Sequence, residues 1–578
     1  MLPSLSCGNR KCVRIVLLLL IFSVFGSLAS AQTDNWVGTS GNWSDGSQWD
    51  SGVPIAGDNI VISTATANST DDMSLAINGL TLGNSSDVLI IGDGIALNVS
   101  GPISNAGSIQ MGSAGANTFL QITGNVSATG SGNITLPTTG PNFITGASGT
   151  GTEVLTSANT IQGSGNIGNG AMGFVNSGTV IAPNTAANLF INVSSAGFSN
   201  TGTLEAVTGG NLVIQGPANS FTNYNATTGT LTGGTYTANG GNIYFTGSSK
   251  GITTLSARVT QEANGQIINA ATGTNALGGL QAITATGVLT TTAGFTAPHA
   301  FNMAGALNIL PNTVVNVGSV TQIKTGSLTG GQWVLDSSLN ITGTAQHLTT
   351  NNATVTLSGG TFKNVADGSD AFATLTTNKK TLRIMNFAHY TTTGTLTNTS
   401  QMLIQKGCNM TIGGTSTSYA QTAGKMTMDG MLKGAVNVTG GSFLGAGSVT
   451  GNFSLGGGTG NATFSVGDAG KAAQFKITGT YTQLTNGILS VNIGGTTVAT
   501  QYSQVKPTLA ATLGGTLTAP LIAGFTPTVG QAFTVVSGKS VTGTFSNSTI
   551  AINSSEHFAI SYTATGVVLT VASGPAAE

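Results

Sequence analysis

The chain runs to 578 residues with a formal net charge of −1; only 6% of them are charged, 39% are hydrophobic, and 85 are glycine against 13 proline. That balance excludes a disordered chain, which would be charged and poor in apolar residues, and so little proline excludes collagen and Pro-rich linkers. The length exceeds one ordinary domain, leaving several domains or one extended repeat. Short alternating runs of Val, Ile, Leu and Phe among Thr, Ser, Asn and Gly point to strands with polar outer faces and frequent turns, hence an all-β body. Charge is uneven: ten Asp and Glu but no Lys or Arg lie between Arg14 and Lys250. A nucleic-acid partner needs a basic stripe with interleaved aromatics, so none is expected.

Residues 1–31 read as a secretory leader. Arg10, Lys11 and Arg14 form its basic start, Ile15 to Ala29 its apolar core, and Ala29-Ser-Ala31 its small-residue cleavage site. The apolar run is shorter than the roughly twenty residues of a membrane span. A mature chain from Gln32, secreted or at the cell surface and without a membrane span, is expected.

Three of the four tryptophans follow together, in Trp36-Val-Gly-Thr-Ser-Gly-Asn-Trp43-Ser-Asp-Gly-Ser-Gln-Trp49, before Gly52-Val-Pro-Ile-Ala-Gly-Asp58-Asn-Ile-Val-Ile62. This pattern resembles the opening segment of secreted bacterial β-helix proteins, including autotransporter passengers and adhesin-like repeat proteins. The resemblance implies a right-handed parallel β-helix (β-solenoid) with capped ends, in which these aromatics close the first coil. Closure is needed because an open end exposes strand edges and an apolar cross-section. The other reading of Trp36, Trp43 and Trp49 is a carbohydrate platform. Asp58, after Gly57, reads as a turn residue accepting backbone N–H bonds.

The body carries recurring tiles. Asn176-Ser-Gly-Thr-Val180 and Asn200-Thr-Gly-Thr-Leu204 lie 24 residues apart, with relatives at Asn105-Ala-Gly-Ser-Ile109 and Asn398-Thr-Ser-Gln-Met402. A turn-plus-strand period in the twenties marks stacked coils, and an Asn at one turn of each coil would form a ladder along the rod. At about 4.8 Å per coil such a rod is on the order of 100 Å long. A second tile recurs as Gly130-Ser-Gly-Asn-Ile134, Gly163-Ser-Gly-Asn-Ile167 and Gly445-Ala-Gly-Ser-Val449, and a third as Tyr419-Ala-Gln421 and Tyr481-Thr-Gln483. Residues 250–410 are less regular. The expected organisation is a leader at 1–31, a Trp-rich cap and first coil at 32–77, solenoid repeats at 78–470, and C-terminal coils with a cap at 471–578. The last hundred residues resemble the end of autotransporter passengers, but too little chain follows Phe545 for that family's membrane barrel.

Chemistry is sparse. His299, His347, His389 and His557 are scattered, no complete Walker motif occurs, and no Cys/His metal spacing is present. Cys408 is the one cysteine after the leader and reads as a core residue. No catalytic residue, cofactor or metal is expected. The densest charged cluster is Asp367, Asp370, Lys379, Lys380, Arg383 and His389. With the tryptophans, it supplies the candidate binding residues, because a unique site interrupts a repeat rather than belonging to it. The expected function is a secreted or cell-surface structural, adhesin-like protein without catalysis, its partners extracellular glycans, matrix or neighbouring cells. The alternative, by analogy with enzymes of β-helix fold, is a polysaccharide lyase or hydrolase. In that reading Asp367 and Asp370 serve as metal ligands or an acid/base pair, and Lys380 or Arg383 as the base.

Overall fold

In the strand Thr179–Ala182, Val180 and Ala182 are buried while Thr179 and Ile181 are half-buried on the solvent side. Period-two alternation of this kind lets one strand bury half its side chains and keep the other half outside. A single such strand cannot close a core, so the chain turns and repeats the pattern. One coil consists of Phe198–Asn200, Thr203–Val207 and Asn211–Gln215. Each strand pairs in parallel with its counterpart one coil earlier, through Phe174↔Phe198, Val180↔Leu204 and Leu189↔Leu212.

The computed structural model describes residues 32–577 apart from 113, 184–186 and 247–249. The leader read at residues 1–31 lies outside the described residues. Within them the chain is all-β, a parallel β-solenoid of about 20 turns. With stacked strands about 4.8 Å apart, that is a rod of about 100 Å. No helix among the described residues is long and apolar enough to cross a membrane.

The core is a continuous file of inward residues such as Ile109, Ile134, Ile161, Val180 and Leu204, all fully buried. Each such side chain contributes about 1.5–3 kcal/mol relative to exposure. Aromatic residues stack inside too: Phe174, Phe198 and Phe221 lie 5.5 and 5.2 Å apart with rings within 17° of parallel.

Coil length varies while the stacking does not. Met426 pairs with Phe443, 17 residues on, and Leu204 with Tyr236, 32 residues on. Turns absorb the difference. In two coils a turn is replaced by a glycine pair inside one long strand. Thr230–Asn239 bends at Gly233-Gly234 and Ser327–Leu335 at Gly330-Gly331, all four with φ between +61° and +74°. At both places the register shifts by a bulge.

Asparagines at one inner corner form the expected ladder. Asn176 Nδ2 donates to Asn200 Oδ1 at 2.8 Å, Asn351 Nδ2 to Asn378 Oδ1 at 2.8 Å, and Asn378 Nδ2 to Asn398 Oδ1 at 2.8 Å. All five are buried. The Tyr-x-Gln tile fills the same corner: Asn398 pairs in register with Gln421. Tyr419 and Tyr481, both buried, donate their hydroxyls to Gln421 and Gln483 at 3.0 and 2.7 Å. Each glutamine then donates to a carbonyl of the next coil, Ser442 O at 2.8 Å and Thr516 O at 3.0 Å. The glycine tile is not tied to one corner. Gly130 precedes a second strand, Asn133–Leu136, whereas Gly163 and Gly445 precede third strands, Gly165–Gly168 and Ser448–Thr450. What its copies share is a left-handed glycine: at Gly163 (φ +126°) a Cβ would collide with the Leu136 carbonyl.

Both ends are closed. Trp36 and Trp49 bridge antiparallel, and Trp49 meets Trp36 and Trp43 edge-on at 5.0 and 5.5 Å. At the other end Gly566–Ser573 pairs antiparallel with both Ala532–Ser537 and Glu556–Tyr562, folding a hairpin over the last coils. That hairpin replaces an open parallel edge.

Candidate functional site

The three tryptophans are 2%, 0% and 4% exposed, and Trp49 Nε1 donates to the Trp43 carbonyl at 3.1 Å. The rings pack edge-to-face against one another in the interior, where no sugar ring reaches them. The neighbouring aspartates serve the backbone. Asp58 accepts the Ile55 N–H at 2.8 Å, and Asp93 accepts N–H groups of Ala114, Gly115 and Ala116 in the next coil at 3.0–3.2 Å.

The charges of 367–389 are spread over several elements. Asp367 accepts from the Ser369 N–H and hydroxyl, which hold its carboxyl below the usual range, and pairs with exposed His347 at 3.5 Å. Asp370 accepts the Phe372 N–H at 2.9 Å and starts the 3-10 turn Ala371–Thr374; burial pushes its pKa up. Lys379, Lys380 and Arg383 are exposed along and before the second strand Thr381–Ile384. His389 lies on the third strand His389–Thr392, its Nδ1 3.1 Å from Asn409 Nδ2. Among the described residues, no ion pair joins these carboxylates to Lys380 or Arg383, and no three His, Cys, Asp or Glu residues gather as metal ligands. Cys408 is free and fully buried.

The outward surface of the third strands carries a more continuous feature. From Phe119 one solvent-side column runs in register through Phe143, Asn166, Phe190, Val213, Tyr244 and Ile268. All seven are half-buried, and the Phe119 and Phe143 rings stack at 5.1 Å and 18°. Amides flank it: Asn188, Asn211, Asn242 and Gln266 form the adjacent row, with Asn211 Nδ2 donating to Asn188 Oδ1 at 3.1 Å. No charged residue occurs on these third strands. Further along, Thr296, Asn316 and Asn340 form another outward row, which ends in Lys363.

In the last third of the rod the same kind of surface is cationic. His389, Asn409, Met431, Ser448, Lys476 and Lys506 follow one another in register, and Lys433 stands in the next row between Thr411 and Thr450. The histidine and all three lysines are exposed. Sequence reading missed both surfaces, because variable coil lengths hide which outward residues share a column.

These features define a parallel β-solenoid whose distinctive chemistry lies on an outward face rather than in a cleft. Compared with known proteins, the chain matches no family model and no curated relative.

Proposed function

We propose that this is a secreted or cell-surface structural protein of adhesin type, which presents an extended solenoid surface and performs no catalysis. The observation that carries the reading is the apolar and amide column from Phe119 to Ile268. Its residues face solvent, so the solenoid core does not require them. Stacked coils repeat that surface every 4.8 Å or so, and repetition turns weak contacts into firm attachment. Extracellular glycans, matrix and neighbouring cells are the partners such a surface fits, and the leader read at residues 1–31 supplies the route outward.

The test uses the purified chain in a cell-attachment assay and on a glycan array, beside a Phe119→Ser/Phe143→Ser/Tyr244→Ser variant. The wild type attaches and the variant, still folded, loses most of that attachment. Silence of the wild type in both assays sinks the reading.

A further inference from the structure

We propose that the outward face of the C-terminal coils binds an acidic polysaccharide, with the Phe387 ring seating one sugar and Lys433, Lys476 and Lys506 taking its carboxylates.

Charge distribution is the first ground. Residues 363–539 hold eleven Lys and Arg against four Asp and Glu, while residues 32–362 hold three against twelve. Four of those eleven cations, Lys406, Lys433, Lys476 and Lys506, share one surface with His389. His389, Lys433, Lys476 and Lys506 all project from third strands, and Lys406 occupies a turn leading into one. Lys476 and Lys506 are direct cross-strand neighbours. Like charges so placed destabilise a sheet, yet no acidic residue lies on its parallel strands from His389–Thr392 to Ala532–Ser537; the sheet's one acidic strand residue, Glu556, is on the closing hairpin. Two further carboxylates of these coils are at turns: Asp429, engaged by the Ala446 N–H at 3.1 Å, and Asp468, which with Lys471 acts electrostatically on Asp429.

Phe387 is the second ground. It is 76% exposed, the most exposed large apolar side chain among the described residues. Both it and Asn386 adopt left-handed backbone, with φ of +61° and +54°. A bulky residue there is strained, and strain of this kind persists where the surroundings enforce it. Asn386 is held by Gln405 Oε1, which accepts its N–H at 2.9 Å. The Phe387 ring lies over Gly407 of the next coil, where any Cβ would collide with it. The Cδ1–Cε1 side of the ring therefore rests on the next coil's backbone while most of the side chain stays open to solvent, two residues before His389 and next to the turn that carries Lys406.

An aromatic seat followed by cations along the rod suits a chain that offers apolar ring faces and carboxylates in alternation. Stacked strands are about 4.8 Å apart, so cations on neighbouring coils repeat on the scale of a sugar ring. A single-stranded nucleic acid would instead need aromatics interleaved along the whole groove, and the rows beyond Phe387 hold none. The inference rests on the contact-surface reading above but uses other coils, so either can fail alone.

Binding of the full chain to polygalacturonate is measured across a salt series, with dextran and oligothymidylate as comparisons. Polygalacturonate binds, salt weakens it, and dextran does not bind. Lys433→Gln/Lys476→Gln/Lys506→Gln loses about tenfold in affinity and flattens the salt dependence, as removal of three exposed ion pairs requires. Phe387→Ala weakens binding and leaves the salt dependence unchanged. Lys324→Gln/Lys379→Gln/Lys425→Gln, which removes three charges from other surfaces, leaves binding unchanged. The proposal is overturned if wild type does not bind, if the two triple variants lose equally, if Phe387→Ala has no effect, or if oligothymidylate binds as tightly. Failure here with attachment retained leaves the Phe119 column as the contact surface.

Discussion

Asp71 gives the sharpest physical test of the N-terminal coils. It ends the strand Asn68–Asp71 and is fully buried. Oδ1 accepts the Met73 N–H at 3.1 Å, while Oδ2 has no hydrogen-bond partner. Burial, aided by the charge of Asp72 and opposed by the Met73 N–H, pushes its pKa up to about 7. In the unfolded chain it titrates near 3.9. Between those values the folded protein holds a proton that the unfolded chain has released, so stability is full below about pH 4 and is lost as pH rises through about 7. Three pKa units at 1.36 kcal/mol each set the scale at about 4 kcal/mol. Asp71→Asn keeps the shape and the Oδ1 acceptor and removes the charge. The variant is therefore more stable than wild type by a few kcal/mol at pH 8 and close to it at pH 4. Tryptophan fluorescence during urea unfolding reads this locally, because the Trp43 backbone N–H donates to Thr70 O, next to Asp71. Nearby Asp45 and Asp50 have lowered pKa values and act in the opposite sense, so the difference between variant and wild type is the informative quantity. A variant–wild-type difference that does not change from pH 4 to pH 8 would refute the reasoning.

Asn378→Ala removes the middle rung of a three-rung ladder and leaves the Asn351 Nδ2 with the Thr381 carbonyl as its one partner, at 3.1 Å, at a cost of about 1–3 kcal/mol. Hydrogen exchange accelerates first in the strands Thr350–Leu357 and Gln401–Ile404, and uniform protection there would contradict the ladder's role. Tyr481→Phe deletes the 2.7 Å bond to Gln483 and costs about 0.5–1.5 kcal/mol. Tyr419→Phe, in the same geometry, costs a similar amount in thermal unfolding.

The parallel solenoid was legible because its turns carry chemistry of their own. Asn176 and Asn200, 24 residues apart in sequence, share one hydrogen bond in space, and the Tyr-x-Gln tile marks the same corner. Residues 250–410 looked irregular for a physical reason. A bulge at Gly330-Gly331 flips the alternation inside one strand, so a period-two reading loses phase there. The cluster at 367–389 was found by density in sequence, but density does not fix direction: His347, absent from it, meets Asp367, while Arg383 and His389 lie on different faces. The Phe119–Ile268 column left a trace in runs such as Asn211-Leu-Val-Ile-Gln215 and Asn242-Ile-Tyr-Phe245, where an apolar residue occupies the outward parity. Only the cross-strand register aligns those residues, since successive coils differ in length.

That variation in coil length, at constant rise, has a mechanical meaning. Interstrand hydrogen bonds run along the rod axis, so an axial pull loads them one coil at a time rather than all together. Peeling off one coil shortens the rod by about 4.8 Å and frees a tether of about 3.4 Å per residue. The 17-residue coil between Met426 and Phe443 gives about 60 Å of slack, and the 32-residue coil between Leu204 and Tyr236 about 110 Å. A stiff rod anchored at one end and held at the other thus contains its own graded extension, released a coil at a time.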